Sequence, residues 1–491
     1  MPPRKPNIVF IYVDNHPGAI SGYAGNSEIH TPNLDRLTEE ATNFSNTYCP
    51  NTMCSPCRAS VLTGLIPSQH GVHTWIDDRY ANDWPDTWDA IGEFDTIPKK
   101  LMREGYDTAL IGKYHLGNAE GARDNYNECV TMQIGHVQSF YENDIIDGDK
   151  KYKHPGHSVD FFTDKAIEYL DRRSDEKEKP FFLFLTYPAP YGHWPSIQGE
   201  PTNRYAELYR DTPMATIPRE GISKGMIDRF QLSNEKSTVE DNQNYMLQIP
   251  NDMPTLRNYY SQISMVDDGV GRMEHALKRN ELFEDTLFIY ASDHGMSLGQ
   301  HGFWGHGEDT WPSNAHHEAH YIPLIIKTPG EDNGEKRKVC NLVSTTDIYA
   351  TILDYVGIEL PSKDESPARS LRPLIENKTN GWDDVCFMEQ EETRSIRTKK
   401  WLFMKRIETT VCEFENELYD LESDPGERNN LISYPEMQDI IQGLSDKIDK
   451  YFSAYSNPKW NLWQGGTVKS NSSRPYFWKE YYGEKWKPHY E

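Results

Sequence analysis

No stretch of this 491-residue chain reaches the ~18 consecutive apolar residues needed to cross a bilayer; residues 8–13 are apolar but only a strand's length. The opening Met1-Pro2-Pro3-Arg4-Lys5 runs straight into that strand with no apolar leader core or small-residue cleavage site, so the sequence as it stands predicts a cytoplasmic location. Cysteine is sparse. Of the seven present, only Cys54 and Cys57 are close, and no second Cys-x-x-Cys recurs. That argues against a thiolate zinc site and fits a reducing compartment. Positive charge is in deficit, with 51 Lys and Arg against 76 Asp and Glu, a formal net charge of −25. Such a field argues against nucleic acid and against loose binding of polyanions. An anionic substrate in one pocket stays open, because a metal ion and a few local cations can reverse the sign there.

What is present is a globular composition. Aromatics make up 12 % of the chain, too many for disorder; most belong in a core, and a carbohydrate cleft would use some of the rest. Strand and helix signals alternate over the first three-quarters. Residues 7–14 form a buried-strand pattern ending in an acid. Thr31-Pro32 opens a helix with Leu34, Leu37 and Ala41 on one face, and Thr96 with Pro98 opens another. Further strands are predicted at 108–111, 180–187, 286–291 and 322–326, with a long helix over 253–278. The alternation implies βαβ units and a mostly parallel sheet covered on both faces, an α/β fold whose ligands bind beyond the carboxyl ends of the strands. After Leu374 the texture changes to a polar linker, short strands near 385–388 and 401–405, a strand ending in a turn over 417–427, and a helix over 435–452. The division is a catalytic unit, 1–376, and a smaller α+β unit, 377–491. The last ~30 residues of the latter are Trp- and Tyr-rich without periodicity and read as a tail wrapping the surface.

Several residues stand where chemistry needs them. Asp14, followed by Asn15, closes the first strand, and Asp293-His294-Gly295 follows the strand at 286–291. Two acids, an amide and an imidazole at strand ends can converge on one ion, the oxygen donors suiting Ca²⁺, Mg²⁺ or Mn²⁺ and the imidazole favouring Mn²⁺; each acid can equally cap a turn. Between them lies Cys54-Ser55-Pro56-Cys57-Arg58. Pro56 fits a helix start, which places Cys54 at a helix N-terminus, where free N–H groups lower a thiol's pKa or hold an anion. On this evidence Cys54 is either a thiolate nucleophile or an ordinary buried cysteine.

The Cys54–Arg58 segment with Leu62-Thr63-Gly64 matches the sulfatase signature C-x-P-x-R followed by Leu-Thr-Gly, and the chain resembles that family well beyond it. Pro6-Asn7-Ile8-Val9-Phe10 and the residues to Asp14 resemble the family's opening strand, and Thr31-Pro32-Asn33-Leu34 its first helix. Ile111-Gly112-Lys113-Tyr114-His115-Leu116-Gly117 resembles its G-K-x-H-L-G segment. Ser292-Asp293-His294-Gly295 and Gly302-Phe303-Trp304-Gly305-His306-Gly307 resemble its second metal and anion-binding segments, and Glu417-Leu418-Tyr419-Asp420 with Asp424-Pro425-Gly426-Glu427 its C-terminal landmark. So many landmarks in family order are highly specific.

The resemblance implies an alkaline-phosphatase-like fold with a small C-terminal subdomain. It implies that a maturation enzyme converts Cys54 to formylglycine, whose hydrated form attacks sulfur in line, displaces the alcohol and then expels sulfate through its second hydroxyl. It implies one divalent ion, Ca²⁺ first, with Mn²⁺ or Mg²⁺ next, held by Asp14, Asn15, Asp293, His294 and the group made from Cys54. Arg58 would hold the diol, Lys113 the sulfate oxygens, and His115 would help deprotonate the diol. His193, in Pro190-Tyr191-Gly192-His193-Trp194-Pro195, would protonate the leaving alcohol or polarise the ester oxygen together with Lys113. Trp75 and Arg79 are candidates for the pocket mouth. Three departures bear on the substrate: Asn15 replaces the usual second Asp, His294 replaces the usual Asn, and His306 stands where the family's anion-binding Lys is expected, giving a charge that varies near neutral pH. His316, His317, Glu318 and His320 form no zinc-helix pattern, and packing is the plainer reading. The expected substrate is a sulfated carbohydrate or a small aryl or alkyl sulfate. The alternatives are a phosphodiester or phosphonate monoester hydrolase using the same diol, and an unmodified binding relative, against which the near-complete set of polar site residues argues.

Overall fold

The structure, a computed structural model, describes residues 5–76, 84, 87–135, 139–174, 176, 178–191, 203–228, 252–307, 312–330, 337–411, 413–469 and 474–489. Its centre is a ten-stranded sheet in the order Arg337–Val339, Thr42–Phe44, Leu324–Lys327, Thr286–Ser292, Asn7–Asp14, Phe181–Pro190, Asp107–Gly112, Glu128–Met132, Asn143–Asp147, Lys150–His154. The opening strand lies between Phe181–Pro190 and Thr286–Ser292, parallel to both, and Asp107–Gly112 runs parallel on the far side of Phe181–Pro190. The flanks turn antiparallel: Leu324–Lys327 pairs with Thr286–Ser292 on one side, and Asn143–Asp147 with Lys150–His154 at the other edge. The sheet is mixed, with its parallel strands at the centre.

Helices cover both faces, so the opening strand is apolar on every residue from Ile8 to Val13 rather than on alternate ones. Val9, Ile11 and Val13 pack with residues of the helices Ser158–Arg173 and Met253–Arg279. Ile8, Phe10 and Tyr12 pack with residues of Cys54–Thr63, Ile97–Arg103 and Asp347–Val356. The 27-residue helix Met253–Arg279 begins where the Asp252 side chain accepts from the Thr255 N–H, with Pro254 in its first turn.

A second sheet is a four-stranded antiparallel meander, Val385–Gln390, Thr393–Thr398, Trp401–Arg406 and Glu417–Asp420, backed by the helix Gln438–Tyr455 through Leu444, Ile448 and Phe452. The strand expected at 322–326 is two strands, Tyr321–Ile322 and Leu324–Lys327, divided at Pro323, which has no N–H to give a ladder. The tail carries a helix, Pro475–Tyr482, that its sequence pattern does not show. Arg474, fully buried, precedes it and binds Glu392 at 2.8 Å and Ser313 Oγ at 2.9 Å, while Trp478 Nε1 donates to Glu391 at 2.9 Å. Among the described residues no helix is long and apolar enough to cross a membrane.

Candidate active site

The parallel strands deliver the polar groups to one end of the sheet. Asp14 is the last residue of the opening strand, Asp293 follows Thr286–Ser292, and Lys113 follows Asp107–Gly112. Gly112 allows the last of these. Its φ is +122°, and a Cβ there would lie 1.8 Å from Thr186 O, so the strands close only around glycine; Lys113 N–H then donates to that same carbonyl at 2.9 Å. Two side-chain-bearing residues at this end have left-handed backbone, Asn15 at φ +73° and His115 at φ +57°. Strain of this kind persists where surrounding contacts enforce it. Asn15 N–H donates to Asp293 Oδ1 at 3.1 Å, and Tyr259 Oη donates to Asn15 O at 2.7 Å.

Cys54 is the first residue of the helix Cys54–Thr63, with Met53 as its N-cap. Its Sγ is 3.4 Å from Asp14 Oδ1 and 3.4 Å from His294 Nε2. Asp14, Cys54, Asp293 and His294 are all buried and bring one donor atom each to within 4.8 Å of one another. Arg58, one helical turn on, donates from Nη2 to Asp293 Oδ2 at 3.0 Å and from Nη1 to Lys113 O at 2.9 Å. Lys113 Nζ is bonded to Asp14 Oδ2. Burial pushes the Cys54 thiol well above its ordinary pKa, and the Asp14 carboxylate pushes the same way. In these surroundings burial and the Asp14 carboxylate outweigh the lowering expected from a helix N-terminus and disfavour a thiolate at Cys54. Burial also raises the carboxyl of Asp14, but Lys113, Arg58 and His294 outweigh it and hold the group below its usual range. Asp293, equally buried and repelled by Asp14, is held above its own.

These groups fit a divalent ion. His294 Nδ1 lies 2.9 Å from Gly295 O, which can only accept, so Nδ1 carries a proton and Nε2 faces the cluster. The donor set of two carboxylates and one imidazole suits Ca²⁺, Mn²⁺ or Mg²⁺. Lys113 and Arg58 balance the two acids, so an added divalent charge would make the pocket positive inside a chain of net charge −25. The Asn15 amide nitrogen lies 3.4 Å from Met296 Sδ, beside the cluster.

The other predicted residues lie around this centre or beyond the described residues. His115 is buried, and its Nε2 donates to Ile76 O at 2.9 Å, which leaves the lone pair of the neutral ring on Nδ1. Ile76 N–H in turn donates to Ser55 Oγ at 2.9 Å, tying this segment to the residue after Cys54. His306 is buried with Nδ1 2.7 Å from Thr52 O, and its ring lies on that of His294 with centroids 4.1 Å apart. Trp75 is half-buried. Arg79 and His193 fall outside the described residues.

Sequence patterns pointed to neither Tyr191 nor Thr52. Tyr191 follows Phe181–Pro190, donates its N–H to Asp14 O at 3.1 Å, and sets its ring 5.3 Å from Lys113 Nζ. Its position just past a central strand was the available signal; Thr52 carried none. His301, His316 and Glu427 also gather, with a donor atom each within 4.8 Å of one another. Glu427 there accepts from Arg397 at 2.8 Å, from His317 N–H at 3.2 Å and from His316 Nδ1 at 2.8 Å, while the His301 and His316 rings stack face to face at 3.8 Å. In-plane lone pairs of parallel rings do not meet at one point, so this group is an ionic junction.

A sulfatase family model matches residues 6–358 of the chain, and a model of the C-terminal part of N-sulphoglucosamine sulphohydrolase matches 307–453. The chain belongs to the sulfatase family. An N-acetylglucosamine-6-O-sulfatase of Bacteroides thetaiotaomicron is 25 % identical, covering 91 % of this chain and 87 % of its own. An arylsulfatase of Clostridium perfringens is 28 % identical, covering 90 % and 93 %. Among solved structures, one in complex with its substrate D-glucosamine-2-N,6-O-disulfate superposes with a TM-score of 0.69 at 22 % identity, over 92 % of this chain and 98 % of that one. The phosphonate monoester hydrolase of Agrobacterium radiobacter superposes at 0.65 with 20 % identity, over 92 % and 96 %, and shares the fold. This sulfatase is a sulfuric ester hydrolase.

Proposed function

We propose that this sulfatase cleaves the sulfate ester of a carbohydrate with a formylglycine made from Cys54 by a maturation enzyme. The observation that carries the reading is the convergence of Asp14, Cys54, Asp293 and His294 within 4.8 Å, with Lys113 and Arg58 bonded to the two acids. Cys54 Sγ stands where the hydroxyls of the hydrated aldehyde would be.

Asp14, Asn15, Asp293 and His294 would hold one divalent ion, Ca²⁺ first and Mn²⁺ or Mg²⁺ next. When bound, the ion would neutralise the acids and lower the pKa of a hydroxyl beside it. The protein's own groups do the rest. Arg58 locks Asp293 and the Lys113 carbonyl, which fixes two strand ends relative to the Cys54 helix. Lys113, anchored on Asp14, presents a cation to the transferred group. The His115 lone pair on Nδ1 would take a hydroxyl proton, with the ring angle set by the Ile76 carbonyl. His306 would supply a further contact to the transferred group, and Trp75 and Arg79 would line the pocket mouth. His193 would return a proton to the leaving alcohol. A carbohydrate is favoured by the family match and by relatives whose names specify sulfated glucosamine.

The test begins with protein made alongside a formylglycine-generating enzyme. Peptide mass spectrometry should show a loss of about 18 Da at Cys54. Sulfated mono- and disaccharides should be hydrolysed faster than matched phosphate diesters and phosphonate monoesters, and Cys54→Ala should remove turnover while leaving the melting curve unchanged. Undiminished turnover in that variant would eliminate the mechanism, and a preference for phosphonate esters would move the chain to the other branch of its fold.

A further inference from the structure

The C-terminal sheet inserts a hairpin into the catalytic unit. The turn between Val385–Gln390 and Thr393–Thr398 is buried: Glu389, Gln390, Glu391 and Glu392 are 2 %, 3 %, 0 % and 0 % exposed. Four charged or polar residues at a hairpin tip would ordinarily face water. Here each is answered by a distant segment. Glu389 N–H donates to Pro50 O at 2.8 Å, Asn51 Nδ2 donates to Glu389 O at 2.8 Å, and Ser68 N–H donates to Glu389 Oε2 at 2.9 Å. Ser313 N–H donates to Glu392 Oε1 at 2.5 Å. The hairpin is thus stitched to the strip of chain, residues 49–53, that leads into the Cys54 helix.

Gln390 reaches furthest toward the reaction centre. Its Oε1 accepts from Thr52 Oγ1 at 2.6 Å. Thr52 Oγ1 also accepts the Gly307 N–H at 3.0 Å, so the hydroxyl bridges Gly307 and the Gln390 amide oxygen. The other end, Nε2, is buried and meets no partner among the described residues. Thr52 O, in the same residue, is the partner of His306 Nδ1, and the His306 ring lies on His294. A continuous series of contacts therefore runs from Gln390 through Thr52 to residues 306 and 307 and on to the cluster around Cys54. Gly307 has φ +57°, a left-handed conformation that its hydrogen bond helps to define.

We propose that Gln390 is a positioning residue for the grip on the transferred group. It holds the Thr52 hydroxyl so that Thr52 can hold Gly307 and His306 in place, and so makes the C-terminal subdomain part of substrate recognition. The inference rests on His306 contacting the transferred group, as in the function proposed above. Because that contact exists in both the bound ester and its transition state, losing it weakens binding more than turnover.

The variants are Gln390→Leu, Thr52→Val, the two together, and Thr52→Ser, which keeps the hydroxyl. Full-length, metal-loaded protein with converted Cys54 is assayed with 4-nitrophenyl sulfate, and inorganic sulfate is titrated in by calorimetry. Gln390→Leu and Thr52→Val should each raise KM and the sulfate Kd by about tenfold, the size of one lost buried hydrogen bond, with kcat within about twofold. The double variant should be no worse than either single one, because both break the same link, and Thr52→Ser should behave like the wild type. Effects that add, or a lowered melting temperature with unchanged KM and Kd, would overturn the proposal in favour of a purely structural hairpin. If wild-type protein binds no sulfate, the functional reading fails, and the link is then decided by amide hydrogen exchange: faster exchange of the peptide containing Gly307 in Gln390→Leu but not in Thr52→Ser supports it, and equal exchange refutes it.

Discussion

Asp293 illustrates how few residues carry the site. It takes an N–H from Asn15, an N–H from His294 and a guanidinium from Arg58, and its carboxylate comes within 4.8 Å of the donor atoms of Asp14 and Cys54 because two strands end side by side. Substituting Asn for Asp293 leaves Arg58 buried with one acid fewer, which should cost about 3 kcal/mol of stability. It should also strip the bound ion, since a ligating charge is lost. Elemental analysis after gel filtration would read the ion content, with an occupied wild type and a nearly empty variant expected; equal occupancy would show that the ion is held elsewhere. Cys54 makes the complementary point. Its enclosure and the carboxylate at its side oppose ionisation of the thiol, which favours the proposed formylglycine over thiolate chemistry at this position.

At the scale of elements, the decisive feature is the pinch between Asp107–Gly112 and Phe181–Pro190. Lys113 can leave the sheet toward Asp14 because Gly112 has no Cβ to strike Thr186 O. Gly112→Ala combines a φ of +122°, which side chains rarely adopt, with a collision at 1.8 Å. The expected result is a stability loss of about 3 kcal/mol or more, seen in urea melts, together with a fall in kcat/KM as the ammonium is displaced. Wild-type activity with wild-type stability would mean that the strands separate without consequence for Lys113.

Across the whole molecule, buried ion pairs brace the second sheet and the segments that follow it. Arg394 pairs with Glu389, Arg397 with Glu427, and Arg474 with Glu392, each nearly inaccessible to solvent. The junction at His316 adds a pH dependence. Burial alone would lower its pKa, but Glu427, Glu417 and Glu318 around it outweigh burial and raise it above 6.5. Its neighbour His301, stacked on it, is pushed down to about 3 by burial and by His316, and His317 to about 4 by burial and Arg397. Burial also acts upward on Glu427, yet Arg397 and His316 bring it down to about 2 from 4.5. The His316 contribution is therefore complete below pH 6.5 and disappears as pH rises through the raised value. The Glu427 contribution is complete above pH 4.5 and disappears as pH falls toward 2. Between those limits the junction is strongest. Melting temperatures measured from pH 4 to 9 should decline on the alkaline side, and His316→Gln should lower the acid-side values and flatten that decline. An unchanged alkaline slope in the variant would place its origin in another group.

The opening strand, the Cys54 helix, the long helix from Met253 and the acids at strand ends were legible in the chain because each depends on residues within a few positions: an unbroken apolar run, a first-turn proline, a capping acid, an alternation of strand and helix. The family resemblance added the roles expected of Lys113, His115 and His306. Local pattern failed where burial is satisfied from far away. Thr393–Thr398 carries Arg394 and Arg397, and it is buried because Glu389 opposite it in the hairpin and Glu427, 30 positions on, neutralise them inside the protein. The antiparallel edge strand Lys150–His154 is rich in lysine and carries no apolar run by which a strand is recognised, although such charge is what keeps an edge from pairing with another chain. Thr52, Gln390 and Tyr191 carry no signature either. The sequence determined which groups this protein has for its chemistry and on which elements they lie. The tertiary structure decided that Asp14 and Asp293 meet at Cys54 and that a hairpin near residue 390 braces residue 306, because those contacts join positions tens to hundreds of residues apart, and only the packing of the two sheets sets the distances between them.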